Sequence, residues 1–178
     1  MTKTAAVTAN GRNFWAYDVS ISFLAHEILE IGRERQPGPW FSELIPSLTG
    51  VAIVGGTVGL DLQPVVDGNN VEPFAEAVAE AGARLRALKS VTKADAEARR
   101  VEGHPVIWRR LSVPASDREM TSVAAMPTEP IADLACAVID LLRGTLSTPP
   151  AGTWWFLGLP EGPRTITMEG ADEAGMPG

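Results

Sequence analysis

Apolar residues recur at helical spacing in three long stretches of the chain. Tyr17, Ile21, Leu24, Ile28 and Ile31 make one stripe over a segment running from Asp18 or Ser20 to Gln36. Asp18 can satisfy the free N–H groups of its first turn, and Pro37-Gly38-Pro39 forbids continuation. Val71, Phe74, Val78, Ala81, Leu85 and Leu88 make a second stripe, opened by Asn70 as the expected N-cap. Ile131, Leu134, Val138 and Leu142 make a third over Ile131–Arg143, with Pro130 in the first turn and Gly144 just past the end. Thr92 and Asp95 have the spacing of a capping box, with Asp in place of Glu or Gln, and predict a shorter helix that Gly103 stops.

Between these segments the pattern changes to short β-branched and aromatic runs. Thr4–Thr8 and Phe14–Tyr17 flank Asn10-Gly11, whose residues tolerate positive φ, so a tight hairpin is predicted. Trp40–Leu48 reads as a helical turn. Val51–Val54 and Thr57–Leu62, around Gly55-Gly56, read as a second hairpin. An apolar helix packed by glycines is the alternative there, because periodicity does not separate short apolar runs. His104–Val113 reads as a strand and Pro114–Pro130 as irregular chain. Trp154–Leu157 and Thr165–Met168 read as strands joined through Pro160-Glu161-Gly162-Pro163.

Hairpins alternating with long helices predict an α+β fold, an antiparallel sheet packed against about three longer helices. Residues 1–168 are expected to form a single domain, with 169–178 a disordered tail. Composition adds limits. With 15 basic against 22 acidic residues in 178, the net charge is −7. The excess is even, 7 basic and 10 acidic residues in 1–89 against 8 and 12 in 90–178. Such a surface disfavours nucleic acid and anionic membrane as partners. The single Cys136 excludes intrachain disulfides and cysteine-rich metal sites. Met1–Thr8 lacks the apolar stretch of a secretory signal, and Leu44–Leu60 is too short and too broken by Pro and Gly to span a bilayer. A cytoplasmic location is expected.

Several residue groups suggest chemistry, and each has a plainer reading. His26 and Glu30 share a helix face, as in zinc-protease helices, with Glu where the second His should stand. They lie away from the Leu24 stripe, on a face expected to be solvated, so no metal is assigned. Gly50 to Thr57 has the outer spacing of a phosphate-binding loop, but Gly56 replaces the lysine that would meet the phosphates. Cys136 has apolar sequence neighbours and is expected to be an inert core thiol. His104, between Gly103 and Pro105, reads as a loop histidine rather than a general base. Arg99, Arg100, Arg109 and Arg110, around Trp108, make the one basic concentration, partly neutralised by Asp95, Glu97 and Glu102. Trp154 and Trp155 are adjacent on a strand and therefore point to opposite faces, so one needs cover from a second layer or a partner.

No cofactor is expected, and the enzyme question stays open. The leading expectation is a small protein-binding module, of adaptor, inhibitor or immunity type, using Trp154, Trp155, Trp108, Arg109 and Arg110. Its partner would be another protein or a second copy of the chain. The alternative is an enzyme or carrier with an apolar small-molecule pocket between sheet and helices, lined by Tyr17, Trp40, Trp108 and His104.

Overall fold

The computed structural model describes residues 4–35, 38–54, 59–92, 95 and 125–167. Strands β1 (Thr4–Ala9) and β2 (Arg12–Tyr17) form the expected hairpin, and Asn10 and Gly11 both take positive φ, 54° and 66°. The chain then enters α1 (Asp18–Arg35) and α2 (Pro39–Val54), followed by β3 (Leu60–Asp61) and the short α3 (Gln63–Asp67). Helix α4 (Val71–Leu88) leads to β4 (Ser90–Thr92), which pairs with β5 (Ala125–Pro127). Helix α5 (Glu129–Arg143), β6 (Trp154–Leu157) and β7 (Arg164–Ile166) complete the described chain.

The main sheet has the order β3-β1-β2-β6-β7. It is mixed: β1 and β3 run parallel, as do β2 and β6, while β1–β2 and β6–β7 are antiparallel. This corrects the expectation of a sheet made only of antiparallel hairpins. Two of its pairings join strands far apart in sequence, and no local turn signal announces them.

Over 51–62 the hairpin expectation is corrected, and the helical alternative holds for Val51–Val54. Val51–Val54 is the last turn of α2, and β3 pairs with β1 rather than with a hairpin partner. Trp40, Leu44, Leu48, Val51 and Ala52 are buried along one side of α2, a helical spacing that runs through Pro46. Pro46 supplies no N–H to the carbonyl of Ser42, but both residues are exposed, so water can replace that bond. Residues 50–54 are thus helical and do not form a phosphate-binding loop.

Strand alternation divides the sheet's two faces. Ala5, Val7, Ala9, Phe14 and Ala16 are buried on the inner face, against which α1 and α5 pack. Thr4, Ala6, Thr8, Trp15 and Tyr17 take the outer face and are half-buried. Helix α1 lies at the centre, touching α2, α4 and α5, and is buried on nearly every side. The face of His26 and Glu30 is therefore not solvated as expected. Both side chains are half-buried, and Glu27 beside them is only 7% exposed.

Helices α4 and α5 approach closely where Gly82 meets Ala132 and Ala135. Asn70 stands at the N-cap of α4, but its side chain makes no capping bond. Thr92 and Asp95 do bond reciprocally: the Thr92 N–H donates to Asp95 Oδ2 at 2.8 Å, and the Asp95 N–H to Thr92 Oγ1 at 3.2 Å. The expected helix beyond Asp95, the strand over His104–Val113 and the tail 169–178 lie outside the described residues, as do Arg99, Arg100, His104, Trp108, Arg109 and Arg110.

Candidate functional site

The structure places Trp154 and Trp155 on opposite faces of β6, both half-buried. The strand is not an edge; β7 lies outside it. Cross-strand register puts Ala6, Trp15, Phe156 and Arg164 in one row on the outer face, with Trp154 beside Ile166. Arg164 lies over the Phe156 ring at 5.2 Å from its centroid. That contact helps to bury Phe156, which is 2% exposed.

Trp155 and Leu157 take the inner face, against the core. There the space between α5 and β6 opens into a cleft of about 420 Å3. Its apolar lining includes Leu134, Ala137, Leu146, Trp155, Leu157 and Leu159, and one wall carries Asp133, Cys136 and Asp140. Among the described residues lining it there is no Lys, Arg or His.

Local chain geometry builds this cleft. Helix α5 buries Ile131, Leu134, Val138 and Leu142 in the core, so positions 133, 136 and 140 project from the other side and are exposed. Cys136 is thus an exposed thiol, not the expected core residue. Its apolar sequence neighbours are not its spatial ones, because one helical step turns the side chain by about 100°. The end of α5 is closed by Thr145 and Leu146, whose N–H groups donate to the Asp140 carbonyl at 2.8 and 3.0 Å. The chain then runs back past the strand, and the Trp155 Nε1–H donates to the Ser147 carbonyl at 2.8 Å. That bond satisfies the one polar group of the indole and fixes its ring as a wall.

Gly158 ends β6 with φ +77°, where a Cβ would lie 2.9 Å from Ser20 Cβ and 3.2 Å from Leu134 Cδ2. A side chain there would be strained and obstructed, so glycine sets the floor of the cleft. Ser20 Oγ–H in turn donates to the Gly158 carbonyl.

The carboxylates have partial partners. Asp140 Oδ1 accepts from Thr145 Oγ1 at 3.0 Å, and Asp133 Oδ1 lies 3.5 Å from Arg86 Nη2. Both remain solvent-exposed.

Tyr17 and Trp40, expected around a sheet–helix pocket, do not line this cleft. Trp40 is 3% exposed in the core, with its ring edge-on to Phe74 at 5.1 Å between centroids. Sequence reasoning passed over Asp133, Asp140 and Ser147. The first two were accessible as positions off the α5 stripe; Ser147 was not, because its role depends on where β6 sits.

Among the described residues no three His, Cys, Asp or Glu side chains gather as metal ligands would, and no helix is long and apolar enough to cross a membrane. The fold defines an α+β protein with a mixed five-stranded sheet and a half-open cleft at one side. Comparison with protein-family models, curated proteins and solved structures gives no match.

Proposed function

We propose that this chain is a protein-binding module that receives a segment of another protein in the cleft between α5 and β6. One observation carries the reading: Trp155, held by its bond to Ser147, walls an apolar cleft that stays open to solvent. Tryptophan is enriched among residues that dominate binding energy, and a fixed ring loses little entropy when covered. Among the described residues, the titratable groups lining the cleft are two exposed carboxylates and a thiol, with no histidine to act as base. That composition suits recognition better than general acid–base catalysis. An exposed lone thiol also supports residence in a reducing compartment, the cytoplasm.

The cleft's volume lies within the range of small-molecule sites, about 300–1,000 Å3, which supports a carrier as the second reading. A photo-crosslinker attached to Cys136 separates the two in extract from the native cells. The expected result is a protein adduct mapped to the cleft that does not form when the label sits on α4, in a Cys136→Ser, Glu76→Cys variant. Equal adducts from both positions would contradict the proposal. A small molecule that displaces no protein but slows labelling of Cys136 would establish the second reading.

A further inference from the structure

We infer that the cleft selects an extended, left-handed segment with two basic side chains three residues apart and apolar residues between them. The inference rests on the protein-binding reading and adds the chemistry of the partner. It begins with the asymmetry of the walls. Asp133 and Asp140 stand seven residues apart on α5, which places them on the same side of the helix about 10 Å apart along its axis. The facing wall, formed by Trp155, Leu157 and Pro163, carries no charge.

A segment lying along such a cleft must present cations to one side and apolar groups to the floor and the Trp155 wall. A β-strand cannot do this at the required interval, because residues three apart point to opposite faces. The polyproline II helix can. It repeats every three residues with a rise of about 3.1 Å each, so residues i and i+3 share a face about 9 Å apart. Its other two faces then meet the apolar floor and the Trp155 wall. Aromatic-lined grooves are a recurrent mode of recognition for this conformation, since its backbone is already ordered before binding.

Charge supports the same partner. No described cation lines the cleft, and the protein's net charge of −7 attracts basic segments from a distance. Arg86 bonds Glu129 at 3.3 Å and reaches Asp133 only at 3.5 Å, and Arg86 and Asp133 are about half exposed or more, with side-chain exposures of 48% and 62%. A basic side chain from a partner competes with it readily.

The test uses fluorescently labelled synthetic peptides and anisotropy. One carries two lysines three positions apart with leucine and proline between them. The others replace the lysines with glutamine or glutamate, or make the lysines adjacent. The spaced-lysine peptide is expected to bind about fivefold tighter than the glutamine peptide. It should also exceed the adjacent-lysine peptide, with the glutamate peptide weakest. In the Asp133→Asn, Asp140→Asn variant this order should collapse while the glutamine peptide binds as before. Both positions are exposed and the substitutions keep side-chain shape, so the fold persists. Binding that ignores charge and spacing would overturn the inference and leave the cleft reading standing. If no peptide of any charge binds, both fall.

Discussion

Leu85 shows how much of the stability is decided by single side chains. It is fully buried where α4 faces the core. Leu85→Ala removes its packing and leaves a cavity, so unfolding free energy should fall by about 2–5 kcal/mol in a denaturant titration. A midpoint unchanged from wild type would mean that this face of α4 is not packed as described. Tyr17 offers a second measurement, because it is the single tyrosine in the chain. Burial first, and then the nearby Asp18 and Glu161 carboxylates, raise its phenol pKa above the ordinary value. The folded state therefore holds this proton more tightly than the unfolded state does. Its contribution to stability is fully present below pH of about 10 and is lost as pH rises beyond it. Phenolate absorbance should titrate above the free-tyrosine midpoint, and Tyr17→Phe should flatten the alkaline fall in stability. A midpoint at or below that of free tyrosine would contradict the burial of this side chain.

At the scale of elements, legibility follows how local the determining interactions are. The hairpin at Asn10-Gly11 and helices α1, α4 and α5 are written in local spacing and turn chemistry, and the structure has all four. Helix α2 is hidden by Pro46 and Gly50, although Trp40, Leu44, Leu48 and Val51 keep a helical interval through them. The parallel partners β1–β3 and β2–β6 are not legible, since they depend on packing by intervening helices. The same holds for the site. The Trp154–Trp155 alternation and the outward positions of α5 are local; the cleft exists only once β6 lies beside β2.

Helix contacts give a prediction of their own. A Cβ on Gly82 would lie 2.9 Å from Ala135 Cβ, which is fixed to the backbone of α5 and cannot rotate away. In an exposed helix Gly→Ala stabilises by about 1 kcal/mol. Here Gly82→Ala must push α4 from α5 and should destabilise by about 1–3 kcal/mol in the same titration. A gain in stability would show that the two helices are farther apart than described. Surface ion pairs span neighbouring helices: Arg84 bonds Glu34 of α1 and Glu80 of its own helix, and Arg143 bonds Glu72. Their geometry favours the observed pairing of helices, and the bond from Arg84 holds the Glu34 carboxyl below its ordinary pKa.

For the whole molecule, the helices lie against the inner face of the sheet, and the cleft opens where α5 and β6 diverge. Cys136 stands on the wall of that cleft and is the chain's single thiol, so its chemistry reports occupancy without any added probe. The most direct measurement is the rate at which iodoacetamide alkylates Cys136, with and without a saturating amount of the spaced-lysine peptide. A segment seated between Trp155 and α5 should cover the thiol and slow alkylation several-fold, and the Asp133→Asn, Asp140→Asn variant should need more peptide for the same protection. An unchanged rate, with the peptide bound or unbound, would contradict the cleft as the binding site.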